Sequence, residues 1–200
     1  MICALMMGRS GSSGFPNKNI KKVLGRRLFE YPLIASSNSK YVDKIFVTTD
    51  CPIITRISKK YGAIHIKRPK RLTSNKALGE QVYEHGYFQI RKKLKLNSKD
   101  IEFIALTGGH HNLIGDAIDK TPVFHVNEVD AIGKGGFYLS KLDPNKQALI
   151  VNSGSGTACI LAKEGEFLHC SGTGVGGGTV LGLSKLLLGT TNPQEIQELA

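Results

Sequence analysis

The sharpest feature of the sequence is a step in charge at the polar segment 91–100, RKKLKLNSKD. Residues 1–100 contain 21 lysines and arginines against 6 acidic residues, whereas residues 101–200 contain 6 against 10. The first half therefore carries a charge of about +15 and the second about −4, and most glycines lie in the second half. So steep a change at one polar segment is typical of a boundary between modules. The sequence accordingly predicts two modules, 1–96 and 97–200.

The composition fits a folded protein and narrows the class. Of the 200 residues, 40% are hydrophobic and 22% are charged, as in ordinary globular domains. No apolar run reaches the roughly 18 residues that a membrane span needs, and no basic segment precedes the apolar N-terminal residues, so we expect a cytoplasmic chain without a membrane partner. The four cysteines lack metal-ligand spacing. Few aromatic residues interleave with the basic ones, which argues against a nucleic-acid partner.

The basic half alternates strand and helix signals three times. Short apolar runs predict strands at residues 2–7, 44–49 and 63–66, each followed by a helix, at 28–37, 52–61 and 78–94. The first run shows no polar alternation, as is typical of a parallel strand that is covered on both faces. Repeated strand–helix units predict an α/β fold with a parallel sheet.

A loop rich in glycine and serine, GRSGSSGFPNKN, occupies residues 8–19, directly after the first strand. Its three glycines let backbone amides turn inward, and Arg9 and Lys18 supply positive charge at either end, which is the chemistry of a phosphate-binding loop. An ordinary solvated loop is the alternative, because glycine and serine are common in turns. The position after a strand favours phosphate binding.

Four segments of this half resemble the CMP-sugar synthetases, typified by CMP-N-acetylneuraminate cytidylyltransferase. They stand in the order of that family: GRSGSSGFPNKN, the strand end VTTD, the turn KKYGA and the segment RPKRLTS. The resemblance extends to about residue 96 and implies a Rossmann-like half-domain that binds CTP, with sugar or nucleotide contact near Arg71. Ser13 stands where the family commonly has lysine, and the resemblance ends before the family's metal-binding aspartates. The nucleotide-binding residues that it implies are Arg9, Ser12, Lys18 and Asn19.

The second half carries two glycine-rich segments beside predicted strands. The first, SGSG at residues 153–156, joins two strands into a hairpin whose tip exposes backbone amides. The second, GTGVGGGT at residues 172–179, separates a strand at 167–169 from an apolar helix at 180–188. Glycines at a helix N-terminus bring a phosphate group close to unpaired amides and to the positive end of the helix dipole.

Glu128 follows the strand predicted at residues 123–126, at the kind of position where open α/β sheets place their chemistry. A carboxylate there can act as a general base, or it can simply favour the start of a helix. The residues alone favour the second interpretation. His110 and His111 are adjacent and lack a third ligand at suitable spacing, so no metal site is predicted.

The second half resembles the type II pantothenate kinases, of the acetate kinase, sugar kinase and actin superfamily. The motifs LTGG, VNEVDAIGKGG, NSGSGTACI, SGTGVGGGTVLGLSKLLLG and QELA stand in family order. The resemblance implies an incomplete actin-like, ribonuclease H-like half-domain, and it makes Glu128 the base that deprotonates the pantothenate hydroxyl for attack on the γ-phosphate of ATP. His169 stands where many members have arginine. The phosphate-contacting residues that it implies are Gly154, Ser155, Gly156 and Thr157 in one loop, and Gly172, Thr173, Gly176, Gly177 and Gly178 in the other.

Three hypotheses about function remain open. The second half phosphorylates pantothenate with ATP, a step of coenzyme A biosynthesis; the first half makes a CMP-sugar from CTP; or the chain is a non-catalytic fusion of two incomplete enzymes. We rank the kinase first because its general base and both phosphate loops are present. The resemblances imply a transferase that uses Mg²⁺ with ATP or CTP and takes pantothenate, a nucleotide or an acidic sugar as substrate. Unpaired sheet edges predict self-association into homo-oligomers.

Overall fold

The computed structural model of the protein describes residues 1–9, 17–23, 25–74, 77–108, 113–154 and 156–199. The chain separates into two compact units, Met1–Glu102 with Leu113–Pro122, and Phe103–Asn112 with Val123–Ala200. In the described part of the chain, no helix combines the length and the apolar character that crossing a bilayer requires. The division into modules 1–96 and 97–200 stays a prediction.

The strands, in chain order, are β1 (Cys3–Met7), β2 (Lys22–Val23), β3 (Arg26–Arg27), β4 (Lys44–Thr49), β5 (Ile64–Lys67), β6 (Ile104–Leu106), β7 (Ala117–Ile118), β8 (Thr121–His125), β9 (Ala148–Ser153), β10 (Thr157–Lys163) and β11 (Glu166–Thr173). The helices are α1 (Glu30–Ser37), α2 (Pro52–Lys60), α3 (Gly79–Leu94), α4 (Glu128–Ser140), α5 (Gly177–Leu188) and α6 (Pro193–Leu199). Short 3-10 turns occupy Lys18–Ile20, Lys70–Leu72 and Ser98–Asp100.

The first unit is built on a parallel sheet with the strand order β1-β4-β5. The register runs from Cys3↔Lys44 to Met7↔Thr48 between β1 and β4, and β5 pairs with the second half of β4. Each of the three strands is followed along the chain by one of the helices α1, α2 and α3. The predicted α/β fold with a parallel sheet and three strand–helix repeats is therefore confirmed for this half.

The core of the first unit lies between the sheet and helices α1 and α2. Val47 in the central strand, Leu33 in α1 and Ile54 in α2 are fully buried in one cluster. Pro52 stands in the first turn of α2, where its missing N–H costs no helical hydrogen bond. Burying an aliphatic side chain of this size contributes about 1.5–3 kcal/mol, so this cluster fixes the position of α2 against the sheet.

A buried hydrogen bond ties α3 to the segment 113–122 within the first unit. The hydroxyls of Tyr87 and Thr121 lie 2.6 Å apart, and both residues are buried. Arg91, also on α3, forms an ion pair with Asp119. Strand β7 forms a short antiparallel hairpin with the start of β8, with Ile118 opposite Thr121. The side chains of Asp119 and Thr121 thus find partners on α3 within the unit.

The second unit contains an antiparallel sheet with the order β9-β10-β11. Helix α4 packs on one face, where Gly133 and Gly136 let the helix backbone approach Phe167 and Ile150. The turn between β10 and β11 has positive φ angles at Glu164 and Gly165, as the tightest hairpin turns require.

The other face of this sheet is exposed at Leu149, Val151 and Leu168. Strand β6 pairs in parallel with residues 123–125 of β8. The assignment of this unit to the actin-like fold stays a prediction.

Strand β11 is longer than the sequence predicts. The run 167–169 predicts three residues, whereas the strand continues to Thr173 because it pairs with β10 along its whole length, across a bulge between Cys159 and Ile160. The glycine and serine in this stretch suggest a loop locally, but the ladder of hydrogen bonds to β10 keeps the backbone extended. Gly172 and Thr173 therefore belong to a strand end rather than to a free loop.

Candidate functional site

The two glycine-rich segments of the second unit are joined by hydrogen bonds. The amide of Gly177 donates to the carbonyl oxygen of Gly154 at 2.9 Å, and the hydroxyl of Thr157 donates to the carbonyl oxygen of Val175 at 2.8 Å. Both segments follow strands that reach the same end of the sheet, since Thr157 lies opposite both Ser153 and Thr173 in the register. The structure thus brings together the residues that the sequence placed in two separate phosphate loops.

Two of the predicted phosphate-contacting glycines are required by packing between the loops. A Cβ on Gly176 would lie 2.8 Å from the backbone of Gly156, and a Cβ on Gly156 would lie 2.7 Å from the carbonyl oxygen of Thr173. Real Cβ atoms essentially never approach backbone so closely. These positions therefore exclude any side chain, because backbone packs directly on backbone. Ser155 lies outside the described residues.

The N-terminus of α5 supplies the free amides of this site. The first amides of a helix have no acceptor within the helix; that of Gly177 is taken up by Gly154, and that of Gly178 in the same first turn points to no acceptor in the helix. The hydroxyl of Thr179 donates to the carbonyl oxygen of Gly174 at 2.9 Å, which holds the preceding turn in place. The positive end of the helix dipole adds to the attraction for an anion.

The side chain of His169, within β11, extends toward Gly172 near the end of that strand. A Cβ on Gly172 would lie 3.0 Å from Nε2 of His169, so the imidazole lies against the Gly172 backbone. His169 is exposed. Its ring is therefore accessible to a ligand at this strand end, at the position that the kinase resemblance aligns with an arginine.

Glu128 is the first residue of α4 and is exposed. The preceding residue, Asn127, caps the helix, since its side-chain oxygen accepts a hydrogen bond from the amide of Val129 at 2.8 Å. The chain reaches this point directly from β8, as the sequence predicts, and the amide of Val126 still donates to Leu106. Among the described residues, Glu128 makes no hydrogen bond or ion pair to either glycine-rich segment.

The first unit gathers positive charge at the carboxyl ends of its parallel strands. Arg9 follows β1 and Arg68 follows β5. Arg68 is only 7% exposed, and its Nη2 donates to the carbonyl oxygen of Thr48 at 2.8 Å. Burial lowers the pKa of Arg68; Asp50 opposes this effect and Arg9 adds to it. Within the part of the chain that the structure describes, Nε of Arg68 has no hydrogen-bond partner.

His85 on α3 shares this positive field. Burial lowers the pKa of His85, and the charges of Arg71 and Arg68 lower it further. The sequence prediction included Arg9 and Arg71 but missed Arg68 and His85. The position of Arg68, one residue past a parallel strand, was the available signal. No sequence signal pointed to His85, because a single histidine on a helix has no distinctive spacing.

The remaining predicted residues of the loop after β1 are only partly described. The side-chain amide of Asn19 donates to the carbonyl oxygen of Arg9 at 3.3 Å and so connects the two ends of the loop. Lys18 opens a short 3-10 turn and is exposed. Ser12 lies outside the described residues, as do His110 and His111. The two ends of the loop therefore meet at Arg9, whose charge acts on Arg68.

A magnesium ion was expected with either nucleotide. Among the described side chains, no three histidine, cysteine or carboxylate groups come together in a way that could hold a metal ion. Mg²⁺ in nucleotide sites takes many of its ligands from phosphate and water, with one or two carboxylates from the protein. The described side chains do not build a site for the ion by themselves.

Comparison with known families matches the two halves to two transferase families. The cytidylyltransferase family model matches residues 3–85. The Fumble family model matches residues 53–200, well over half of the chain, and the two matched ranges overlap at 53–85. Both resemblances that the sequence motifs indicate are confirmed.

Individual relatives divide in the same way. The type II pantothenate kinase of Bacillus cereus is 32% identical over 111 residues, which cover 54% of this chain and 40% of that protein. The N-acylneuraminate cytidylyltransferase of Escherichia coli is 34% identical over 85 residues, which cover 42% of this chain and 20% of that protein. The chain thus spans less than half the length of the curated relatives it matches.

One solved structure, of CMP:2-keto-3-deoxy-manno-octonic acid synthetase complexed with CTP, superposes with a TM-score of 0.38 at 13% identity, covering 78% of this chain and 62% of that one. This superposition is too loose to bear on fold or function. The sequence matches define the class of protein: the chain has one region similar to cytidylyltransferases and another similar to type II pantothenate kinases. By the extent of its match, the chain belongs to the Fumble family.

Proposed function

We propose that the second unit binds ATP at the joined glycine-rich segments and phosphorylates pantothenate. The observation that carries this proposal is the pair of hydrogen bonds from Gly177 to Gly154 and from Thr157 to Val175, which hold the two segments at one end of the sheet. The similarity to a type II pantothenate kinase over 54% of the chain supports the same substrates. Phosphoryl transfer relies mainly on positioning and on charge stabilisation, which loop amides and a helix N-terminus can supply.

Three protein groups have separate roles in this proposal. The amide of Gly178 in the first turn of α5 faces the nucleotide phosphates, since it lacks an acceptor within the helix, while the amide of Gly177 holds the segment to Gly154. Glu128 accepts the proton of the pantothenate hydroxyl. The hydroxyl oxygen then bonds to the γ-phosphorus of ATP as the bond from that phosphorus to ADP breaks. His169, whose ring lies against Gly172, donates a hydrogen bond to the transferring phosphoryl group.

A coupled assay of ADP release with pantothenate and ATP tests the role of Glu128. We expect Glu128→Gln to lower kcat by about 10²–10⁴-fold, because general bases contribute that much. Asp130→Asn is the matched control, since Asp130 is also an exposed acid in the first turn of α4. Equal rates for both variants would refute the assignment of Glu128. Wild-type chain that shows no ADP release, although it binds ATP, would favour the non-catalytic fusion.

A second candidate function is CTP binding in the first unit, as in a CMP-sugar synthetase with an acidic sugar as co-substrate. It is favoured by the charge cluster of Arg9, Arg68 and Arg71, in which the Nε of buried Arg68 lacks a partner among the described residues. Similarity to the cytidylyltransferase family over residues 3–85 supports it.

Titration calorimetry separates this candidate from the kinase. If CTP binds at the loop after β1, Lys18→Ala weakens CTP binding by about tenfold, as the loss of one charge-assisted contact would. Lys22→Ala is the control, because Lys22 is an exposed lysine of β2 outside that loop. Weak binding of CTP and ATP alike, with the same loss in both variants, would indicate a solvated basic loop.

A further inference from the structure

A basic cavity lies beside the edge strand β5, on the sheet face that α2 covers. It has a volume of about 660 Å³, within the range of small-molecule sites. Arg56 and Lys59 of α2 line one side. His65 and Lys67 of β5 line the other, and both project from the same face of the strand because side chains alternate. We name this cavity the α2–β5 cleft.

The charges of the α2–β5 cleft are unbalanced. One acidic side chain, Asp50, lines the cleft. Five cationic side chains line it as well: Arg56, Lys59, Lys67, Arg68 and Lys70. Among the described residues, none of the cations on α2 and β5 forms an ion pair with an acid. Five cations held around one concave surface repel one another unless an anion enters between them.

The hydrogen-bonding groups of the cleft are mostly donors. Nε2 of His65 lies 3.1 Å from the carbonyl oxygen of Thr49, and since a carbonyl only accepts, this nitrogen carries the hydrogen. The hydroxyl of Thr55 already donates to the carbonyl oxygen of Cys51, and the hydroxyl of Thr73 to the carbonyl oxygen of Lys70. The donors that remain uncommitted are those of lysine and arginine, including Nε of Arg68. A ligand here must therefore supply acceptors and negative charge.

We propose that the α2–β5 cleft binds a small organic phosphate that carries several negative charges. Phosphate oxygens satisfy both conditions, because each accepts several hydrogen bonds and arginine matches their geometry. None of the residues that line the cleft belongs to the loop after β1; the cleft shares Arg68 with the charge cluster proposed for CTP, and its other cations lie outside that cluster. Its ligand is compact, because α2 and β5 enclose the cavity on two sides.

Inorganic tripolyphosphate is a suitable probe, used with the full chain at fixed ionic strength. We expect one bound equivalent by titration calorimetry, and a shift of the imidazole resonances of His65 by NMR. The double variant Arg56→Ala/Lys59→Ala should weaken binding by at least about tenfold, because it removes two charged donors. Lys60→Ala, which removes one charge from the same helix outside the cleft, should change it by less than about twofold.

Arg56 and Lys59 do not belong to the hydrophobic core that α2 helps to form, so their truncation should leave the fold intact, as circular dichroism will check.

Three results would overturn the proposal. Equal weakening by Lys60→Ala would indicate diffuse attraction, and loss of the His65 shift in Lys18→Ala would place the anion at the loop after β1. Tighter binding of duplex DNA than of tripolyphosphate, with the same sensitivity to the double variant, would assign the cleft to nucleic acid.

Discussion

Replacing Gly176 by alanine tests whether backbone packing holds the two glycine-rich segments together. The added Cβ would lie 2.8 Å from three backbone atoms of Gly156, whereas ordinary contacts begin at 3.4 Å. The segments must therefore separate by more than half an ångström, since backbone atoms cannot rotate away as a flexible side chain can. Gly174→Ala is the control in the same turn, because a Cβ there meets no atom within 4 Å.

The expected loss of stability follows from three terms. Forcing a methyl group into a packed site costs about 1–3 kcal/mol. Separation also weakens the hydrogen bonds from Gly177 and Thr157, each worth about 0.5–1.5 kcal/mol. Replacing glycine restricts the unfolded chain and offsets about 0.4–1 kcal/mol of this in both variants. We expect Gly176→Ala to lower the free energy of unfolding by at least about 2 kcal/mol relative to Gly174→Ala, the lower end of the sum of the packing and hydrogen-bond terms, since the glycine term is common to both variants.

Urea denaturation followed by circular dichroism measures this difference, and ATP titration measures its effect on the site. We expect ATP affinity to fall about tenfold in Gly176→Ala and to stay within about twofold in Gly174→Ala, because only the first variant moves the N-terminus of α5. Hydrogen exchange at the amide of Gly177 should accelerate in parallel. Equal stability and equal ATP affinity in the two variants would refute the reasoning that the segments are joined through this contact.

Three further outcomes are expected. The pKa of His85 lies below its ordinary value of 6.5, so the folded state binds fewer protons than the unfolded chain, and the free energy of unfolding should fall as pH drops below 6.5. His85→Asn should remove that slope in urea denaturation at several pH values; an unchanged slope would contradict this. Thr121→Val removes the partner of the buried Tyr87 hydroxyl and should cost about 1–3 kcal/mol in the same assay, unlike Thr121→Ser, which keeps the hydroxyl. Leu187 is 74% exposed on α5, and Leu187→Lys should lower the apparent mass of any oligomer in light scattering, whereas an unchanged mass would place association elsewhere.

The elements of the first unit could be predicted because their signals are local. Strand β4 is a continuous β-branched and aromatic run, and α2 begins at Pro52 with isoleucines at helical spacing. Strand β11 was predicted too short, because its pairing with β10 lies outside the window in which propensity acts. The charge cluster was found only in part, since Arg68 and His85 join it through the arrangement of β5 and α3 rather than through a motif.

By itself the sequence determined the α/β class of the first unit, the two family resemblances and the candidate glycine-rich segments, because apolar period, turn residues and motif order are written along the chain. Only the tertiary structure decided that residues 154 and 177 share a hydrogen bond, that segment 113–122 belongs with the first unit, and that α2 and β5 enclose a basic cleft. These features depend on strand register and helix packing between residues far apart in the chain, and such contacts leave no periodic signal in the sequence.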